Sequence, residues 1–545
     1  METKTFRWPD AVLAALCGGL TFAVCMVFAA RGIDPHHDGV MLKTASDVAA
    51  GLALYRETFT QYGSFVIYCM ALFVRLFGET VLAVQAATAV AYAVSAALLY
   101  AIVRRYAPRI VAFFAPLFAI GLAAFYFWNF HPWSSVFALA LSLAACLAMI
   151  RYTETRRILF ALLSGACCAL MFWCRTPAVL TLFCGALYLC GLLLAGAETK
   201  TSFLKAFGMF ALGAAIVFAA FLLVIVLQGA LRDWWTQSVT NAFSFAAEPT
   251  AETAARQPDN LFVWLMIGEN ENPRYDWIWR VLTHGSLFVC IVLLVLVFRK
   301  KRMGGQADAS LLGLLCFTAF MLFNWPHYYP TLCYRHVFWA DYGLVGVLAS
   351  AIYALTARLV GVDGKRRRAL AAAVTLAALF ALFSGNLLVR ARLGKARLTG
   401  GGTGASFRTV EVAEEDTVHR YARDDYPFLN GLYLSARETR FYDGLFDTMA
   451  ALQSRWPEKN VVNLTQNALF SMFSHDNVHT HAFALTADGY PEQTQQVADY
   501  IATDRPIVLS AALLDGYVIA AYLTDYNGDF FRFEPMYVLV PAEEK

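Results

Sequence analysis

Charge is what this sequence is short of. Only 15% of its 545 residues are Asp, Glu, Lys or Arg, while 59% are hydrophobic, and the mean hydropathy is +0.52. A soluble domain carries about a quarter charged residues. The deficit excludes an ordinary soluble globular protein and points to a polytopic membrane chain. The charges also nearly cancel, leaving +3, so bulk electrostatics gives no footing for nucleic-acid binding. No internal repeat is visible. The 12 cysteines show no zinc-ligand spacing, and Cys167 and Cys168 are adjacent, not separated as C-x-x-C. None lies beyond Cys333, so an exported C-terminal domain would fold without disulfides. No small-residue cleavage site follows the first apolar run, which is therefore read as a retained helix.

Long apolar runs are what the sequence has. A helix needs about 20 apolar residues to cross a bilayer. That filter predicts spans near 11–30, 82–103, 110–128, 133–150, 158–174, 178–195, 205–228, 281–298, 309–325, 337–356 and 370–389, about eleven crossings. Lys and Arg then test the parity. With the N-terminus inside, the cytoplasmic turns hold Arg104, Arg105 and Arg109, then Arg151, Arg156 and Arg157, then Lys200 and Lys205, then Arg299 to Arg302, then Arg358 and Lys365 to Arg368. Nearly every basic cluster lands on one side. Gly63 to Phe77 is apolar but too short to span, and a crossing there would reverse the later loops. It is expected to be an interfacial or half-buried helix within one outer loop, 31–81.

That outer loop gathers an unusual number of ionisable groups. Asp34-Pro35-His36-His37-Asp38-Gly39 is followed by Lys43, Asp47, Arg56 and Glu57, and then by Gln61-Tyr62-Gly63. Apolar chains seldom hold so many without a use for them. Two readings of Asp38 stand side by side: the N-cap of a helix over Gly39–Leu54, or a general base with a raised pKa. Met41, Leu42, Val48, Leu52 and Tyr55 form a stripe expected to face the membrane. A divalent metal at Asp34, His36, His37 and Asp38 is a further possibility, although adjacent histidines diverge. Arg175, in a turn between two apolar spans, either binds an anion such as phosphate or reaches to the outer surface. Asn324-Trp325-Pro326-His327-Tyr328-Tyr329-Pro330, with Tyr334, Arg335, His336 and Trp339, reads as an interfacial aromatic belt or as a sugar and phosphate site. The 229–280 loop is long enough for a lid, with Glu269, Glu271, Asn272 and Arg274 as contacts. Gly394 to Ala405 is expected to be a Gly-rich linker after a membrane domain over 1–393. Residues 406–545 read as a small α/β domain on the outer side, in which Asp424-Asp425 and the His475, Asp476, His479 and His481 group are solvated loops.

These motifs resemble the polytopic glycosyltransferases of the C superfamily (GT-C). That group includes protein mannosyltransferases, the aminoarabinose transferases that modify lipid A, and Rgt-like bacterial transferases. The resemblance is carried by Asp38-Gly39 in the first outer loop, Gly51 to Arg56, Gln61-Tyr62-Gly63, Leu76-Phe77-Gly78, and Cys174-Arg175-Thr176-Pro177. It covers residues 10–200 by motif and the remainder by architecture. Many relatives have Asp-Glu where this chain has Asp38-Gly39, so a role needing two acids would fall to Asp34 or Asp47. The resemblance implies a GT-C-like membrane protein of the bacterial inner membrane, with the N-terminus inside and the C-terminal α/β domain outside. It implies transfer of a sugar from a polyprenyl-phosphate donor to an acceptor hydroxyl on a lipid, glycan or protein, with inversion. Asp38 would be the base. Lys43, Arg56, Arg175, Arg335, His336 and Tyr62 would hold the donor phosphate and sugar, and Asp34 and His37 would be a second acid or metal site. The competing readings are a transporter or flippase for a lipid-linked sugar or solute, and a membrane scaffold.

Overall fold

The computed structural model describes residues 7–34, 36–60, 62–126, 129–240, 273–328, 334–360, 364–400, 418–465, 467–474, 491–529 and 532–542. Its first nine long helices are α1 (Trp8–Ala29), α2 (His37–Ala50), α3 (Ser64–Phe77), α4 (Val81–Tyr106), α5 (Arg109–Gly121), α6 (Ser134–Thr155), α7 (Ile158–Cys174), α8 (Leu180–Leu194) and α9 (Lys200–Leu227). Further helices cover Pro273–Arg302, Ala309–Leu322, Tyr334–Asp341, Leu344–Leu359 and Gly364–Gly400. Among the described residues, eight helices are long and apolar enough to cross a membrane. Three more predicted spans, now α5, α7 and Leu344–Leu359, are shorter apolar helices. Every predicted span thus falls on an apolar helix.

The fourth short apolar helix is α3, the segment expected to stay within the outer loop. Its 14 residues rise about 21 Å, short of the roughly 30 Å hydrocarbon core. Val66, Ile67, Met70, Ala71 and Val74 repeat at helical spacing and are buried, while Leu72, Leu76 and Phe77 are exposed. One stripe therefore packs on α2, α4 and α7, and the other stays free for lipid.

The basic turns lie together, bound by ion pairs across helix ends. Asp10 of α1 accepts from Arg104 of α4 at 2.7 Å and from Arg109 of α5 at 2.8 Å. Glu154 of α6 pairs with Arg105 of α4, and Glu198 pairs with Arg156. Lys301 donates to the Leu194 carbonyl at the end of α8. These contacts gather the ends of successive helices onto one face.

Two expectations are corrected. The helix Gly364–Gly400 continues through Gly394, so the first part of the expected linker is helical. A few glycines at the end of a long helix weaken it by about 1 kcal/mol each, which a packed helix tolerates. The expected stripe does not present Met41, Leu42 or Tyr55 to lipid: all three are buried, as is every residue from His37 to Asp47, and Val48 and Leu52 are half-buried. The covering comes from α3 and α4 and from a 3-10 turn of the C-terminal region, Ala468–Phe473.

The C-terminal region is α/β. A four-stranded sheet has the order β3-β4-β6-β5, with β3 (Val461–Asn463) parallel to β4 (Ile507–Ser510) and both β4 and β5 (Tyr517–Asp529) antiparallel to β6 (Arg532–Pro541). A second sheet pairs β1 (Val418–Arg420) with β2 (Tyr433–Ser435). The helix Ala436–Arg455 opens on a capping box, in which Ser435 Oγ accepts from the Glu438 N–H and Glu438 Oε2 from the Ser435 N–H. This region is fastened to the membrane helices. The Tyr433 N–H donates to the Ala30 carbonyl at 2.7 Å, and the Arg31 guanidinium lies 3.6 Å above the Tyr433 ring.

Candidate active site in the first loop

The site forms where α1 ends and α2 begins. The helix starts at His37, two residues earlier than expected, and ends where Gly51 takes a left-handed φ of 105°. Asp38 therefore lies inside the first turn and does not cap it. The Asp34 carboxylate accepts the His37 backbone N–H at 2.9 Å instead. Asp38 Oδ2 folds back to accept the Asp34 N–H at 2.7 Å, and Oδ1 accepts from Gln85 Nε2 of α4 at 3.0 Å. Asp38 is fully buried. Burial pushes its carboxyl well above the usual carboxylate range, and the Asp34 charge pushes the same way; the N–H and the amide pull it down.

Asp34 is the hub of a second group. Its Oδ1 is 2.9 Å from His37 Nδ1 and its Oδ2 is 3.1 Å from His131 Nε2. The two imidazoles stack, with centroids 4.9 Å apart. The ligand atoms of Asp34, His37 and His131 all lie within 4.8 Å of one another, a set that suits a divalent metal such as zinc. His36 stands edge-on to His37 and is outside this set, as the divergence of adjacent histidines requires. Aromatic rings wall this group. Trp133 meets His37 at 4.3 Å, Tyr62 at 5.6 Å, His336 at 5.9 Å and Trp339 at 5.4 Å between centroids.

Two glycines explain how these pieces come so close. A Cβ on Gly63 would lie 2.0 Å from the Trp173 carbonyl oxygen, so only glycine lets Tyr62-Gly63 dock on the end of α7. There the Gly63 N–H donates to the Cys174 carbonyl at 3.2 Å, beside Arg175. A Cβ on Gly39 would lie 2.0 Å from the Leu469 nitrogen. The backbone of the C-terminal region thus occupies the place of a side chain at position 39. This accounts physically for the absence of a second acid beside Asp38.

The predicted residues divide into those drawn together and those drawn elsewhere. Asp34, His37, Asp38, Tyr62 and His336 share one cluster. Arg175 Nη1 donates to Ser135 Oγ at 2.7 Å, two residues from Trp133. Lys43 is buried and engaged, 3.1 Å from Asp47 Oδ1 and 3.1 Å from the Ser474 carbonyl, so it fastens the C-terminal region to α2. Arg56 lies at the exposed surface, donating to the Gln228 carbonyl at 2.6 Å and to Glu57. Arg335 lies on the helix Tyr334–Asp341, with its side chain outside the described set. The 241–272 part of the expected lid, Tyr329-Pro330 and the His475–His481 group are also outside the described residues. Reading the sequence missed Gln85, His131 and Trp133. The available signals were a lone amide inside an apolar span and a polar break, Asn129 to Trp133, between two others.

Comparison with known proteins follows the geometry. Residues 63–227 match the family model for dolichyl-phosphate-mannose-protein mannosyltransferase. No curated protein matches the chain in sequence. Among solved structures, ArnT from Cupriavidus metallidurans bound to undecaprenyl phosphate is similar over 97% of this chain and 98% of its own, at 11% identity and a TM-score of 0.50. ArnT in the apo state matches at the same identity and TM-score, over 97% of each chain. Arabinosyltransferase EmbB from Mycobacterium smegmatis is similar over 70% of this chain and 39% of its own, at 16% identity and a TM-score of 0.37. The ArnT matches concern the fold, and they run across both the helical and the α/β parts. The chain is thus a polytopic membrane protein that shares the fold of ArnT and, over residues 63–227, is similar to the protein mannosyltransferase family.

Proposed function

We propose that the protein transfers a sugar from a polyprenyl-phosphate donor to an acceptor hydroxyl on the outer side of the bacterial inner membrane, with Asp38 as the base. The observation that carries this reading is the Asp38 carboxylate itself. It is fully buried, held at both oxygens by neutral donors, and placed on a loop helix away from the basic face. ArnT, a neighbour in fold, is described as binding undecaprenyl phosphate, which supports a lipid-phosphate donor here.

In this reading Asp38 takes the proton of the acceptor hydroxyl. The hydroxyl oxygen bonds to the anomeric carbon as the bond from that carbon to the phosphate oxygen breaks. The electron pair leaves with the phosphate, the sugar inverts, and the proton remains on Asp38. Phosphate leaves as a stabilised anion, so the protein need supply one base and cationic or N–H partners for the oxygens. Arg175, held by Ser135 at the start of α6, would be such a cationic partner. A metal on Asp34, His37 and His131 would add positive charge beside the donor. The same reading places the N-terminus and basic face in the cytoplasm and the C-terminal α/β domain outside.

The test offers purified protein a polyprenyl-phosphate sugar and candidate acceptors. Transfer by the parent and loss of transfer in Asp38→Asn are expected. Transfer by that variant at the parental rate would remove Asp38 as base. Solute accumulation in vesicles, with no donor consumed, would favour a transporter.

A further inference from the structure

We infer that His327 is a phosphate-binding residue, acting with Arg175 on the oxyanion of a lipid phosphate. The inference rests on the donor reading above and singles out one residue, His327, within the Asn324–Pro330 stretch.

His327 closes the single 3-10 turn Trp325–Tyr328 that follows the helix Ala309–Leu322. Its backbone N–H is used, donating to the Asn324 carbonyl at 3.0 Å. Its ring is not. The side chain is 1% exposed, and neither Nδ1 nor Nε2 has a hydrogen-bond partner among the described residues. A buried polar group left unpaired is costly, and native chains keep few of them. One ring nitrogen of a neutral imidazole carries a hydrogen and needs an acceptor.

The surroundings indicate which acceptor. The 3-10 turn of His327 packs on the turn Thr176–Val179 that follows Arg175. Arg175 is the residue that opens that turn, as its N-cap. Ser135, at the start of α6, accepts from Arg175 Nη1 and fixes the guanidinium. Three chain segments thus bring an arginine, an imidazole and a hydroxyl together. A cation beside an unpaired imidazole N–H is a poor arrangement alone and a good one around an anion. A phosphate oxygen accepts from both, and the guanidinium geometry fits phosphate. Arg175 would supply the charge and His327 the directed N–H.

The test uses the full chain in detergent and three probes: farnesyl phosphate, farnesol and inorganic phosphate. Binding is measured in the parent and in Arg175→Ala, His327→Phe and His327→Gln. Phe keeps a ring of similar size without nitrogen, and Gln keeps an N–H donor, so the pair separates lost bonding from lost packing. Farnesyl phosphate should bind the parent more tightly than farnesol. His327→Phe should weaken farnesyl phosphate about tenfold and leave farnesol unchanged, and His327→Gln should recover part of the loss. Equal affinity of His327→Phe and parent for farnesyl phosphate, with Arg175→Ala weakened, would overturn the role of His327 and leave the donor reading intact. A parent that does not prefer farnesyl phosphate to farnesol would overturn both. Inorganic phosphate binding as tightly as farnesyl phosphate would overturn the lipid source.

Discussion

The basic face of the helical bundle and the Asp34–Asp38 cluster handle their acids in opposite ways. On the basic face, Asp10, Glu154 and Glu198 each meet at least one guanidinium at a helix end. The pairs neutralise one another and tie α1, α4, α5 and α6 together. At the first loop, Asp38 meets an amide and a backbone N–H, and Asp34 meets two imidazoles. Neutral donors orient a carboxylate without quenching its charge. The first arrangement suits holding helices in register, and the second suits a group that must gain and lose a proton. Substitutions on each side should therefore fail differently.

The largest expected effect is at Asp38. Asp38→Asn keeps the size and the donor contacts of one oxygen but removes the base. Transfer should fall by about 10²–10⁴-fold, the usual contribution of a general base, with thermal stability close to parental. Equal losses of activity and stability would make Asp38 structural. Asp10→Asn is the counterpart on the basic face. Its side chain is fully buried and serves both Arg104 and Arg109, so the change leaves guanidinium groups facing a neutral amide. A loss of about 3 kcal/mol in a denaturation series is expected, with the rate per folded molecule little changed. A large loss of rate at unchanged stability would erase that contrast.

Gly39→Ala tests the seam between the loop and the C-terminal region. The added Cβ would meet backbone, at 2.0 Å from Leu469 N and 2.2 Å from Ala468 C, and backbone gives way reluctantly. Destabilisation of about 2 kcal/mol is expected, within the range for overpacked sites. Gly39→Glu, which restores an Asp-Glu pair, should be worse and should not raise activity. A more active Gly39→Glu would show that the C-terminal turn does not stand in for that acid.

Much of this was legible in the sequence. Apolar runs have a length threshold, so the helices and the short α3 followed from local composition. The strands of the C-terminal sheet followed from short apolar stretches between turn residues. Asp38 was singled out by its motif, although its carboxylate turns back on Asp34 because the helix starts at His37. What stayed hidden depends on contacts distant along the chain. His131 meets Asp34 across 97 positions, Gln85 meets Asp38 across 47, and Lys43 meets Ser474 across 431. Nothing local to Lys43 announces the Ser474 carbonyl. The burial of Met41 and Leu42 was likewise unreadable, since their cover comes from Ala468–Phe473.

The smallest expected effect isolates how the first loop tunes its carboxylate. Gln85→Leu removes the amide that donates to Asp38 Oδ1 at 3.0 Å. That bond favours the charged carboxylate, so its loss makes Asp38 hold its proton more tightly. A base works only when deprotonated, so transfer should rise with pH through the ionisation of Asp38. In the parent the midpoint of that rise should lie above the ordinary aspartate value of about 4, because burial and Asp34 both raise it. In Gln85→Leu it should move further up, while the rate on the high-pH plateau stays within a few-fold. A residue that merely packs α4 against α2 would lower the plateau at every pH and leave the midpoint in place. The matching change on the basic face, Tyr100→Phe, removes the hydroxyl that donates to Asp10 at 3.3 Å and should leave the midpoint unmoved. A shift of equal size there would mean that the profile reports the stability of the bundle and not the state of Asp38.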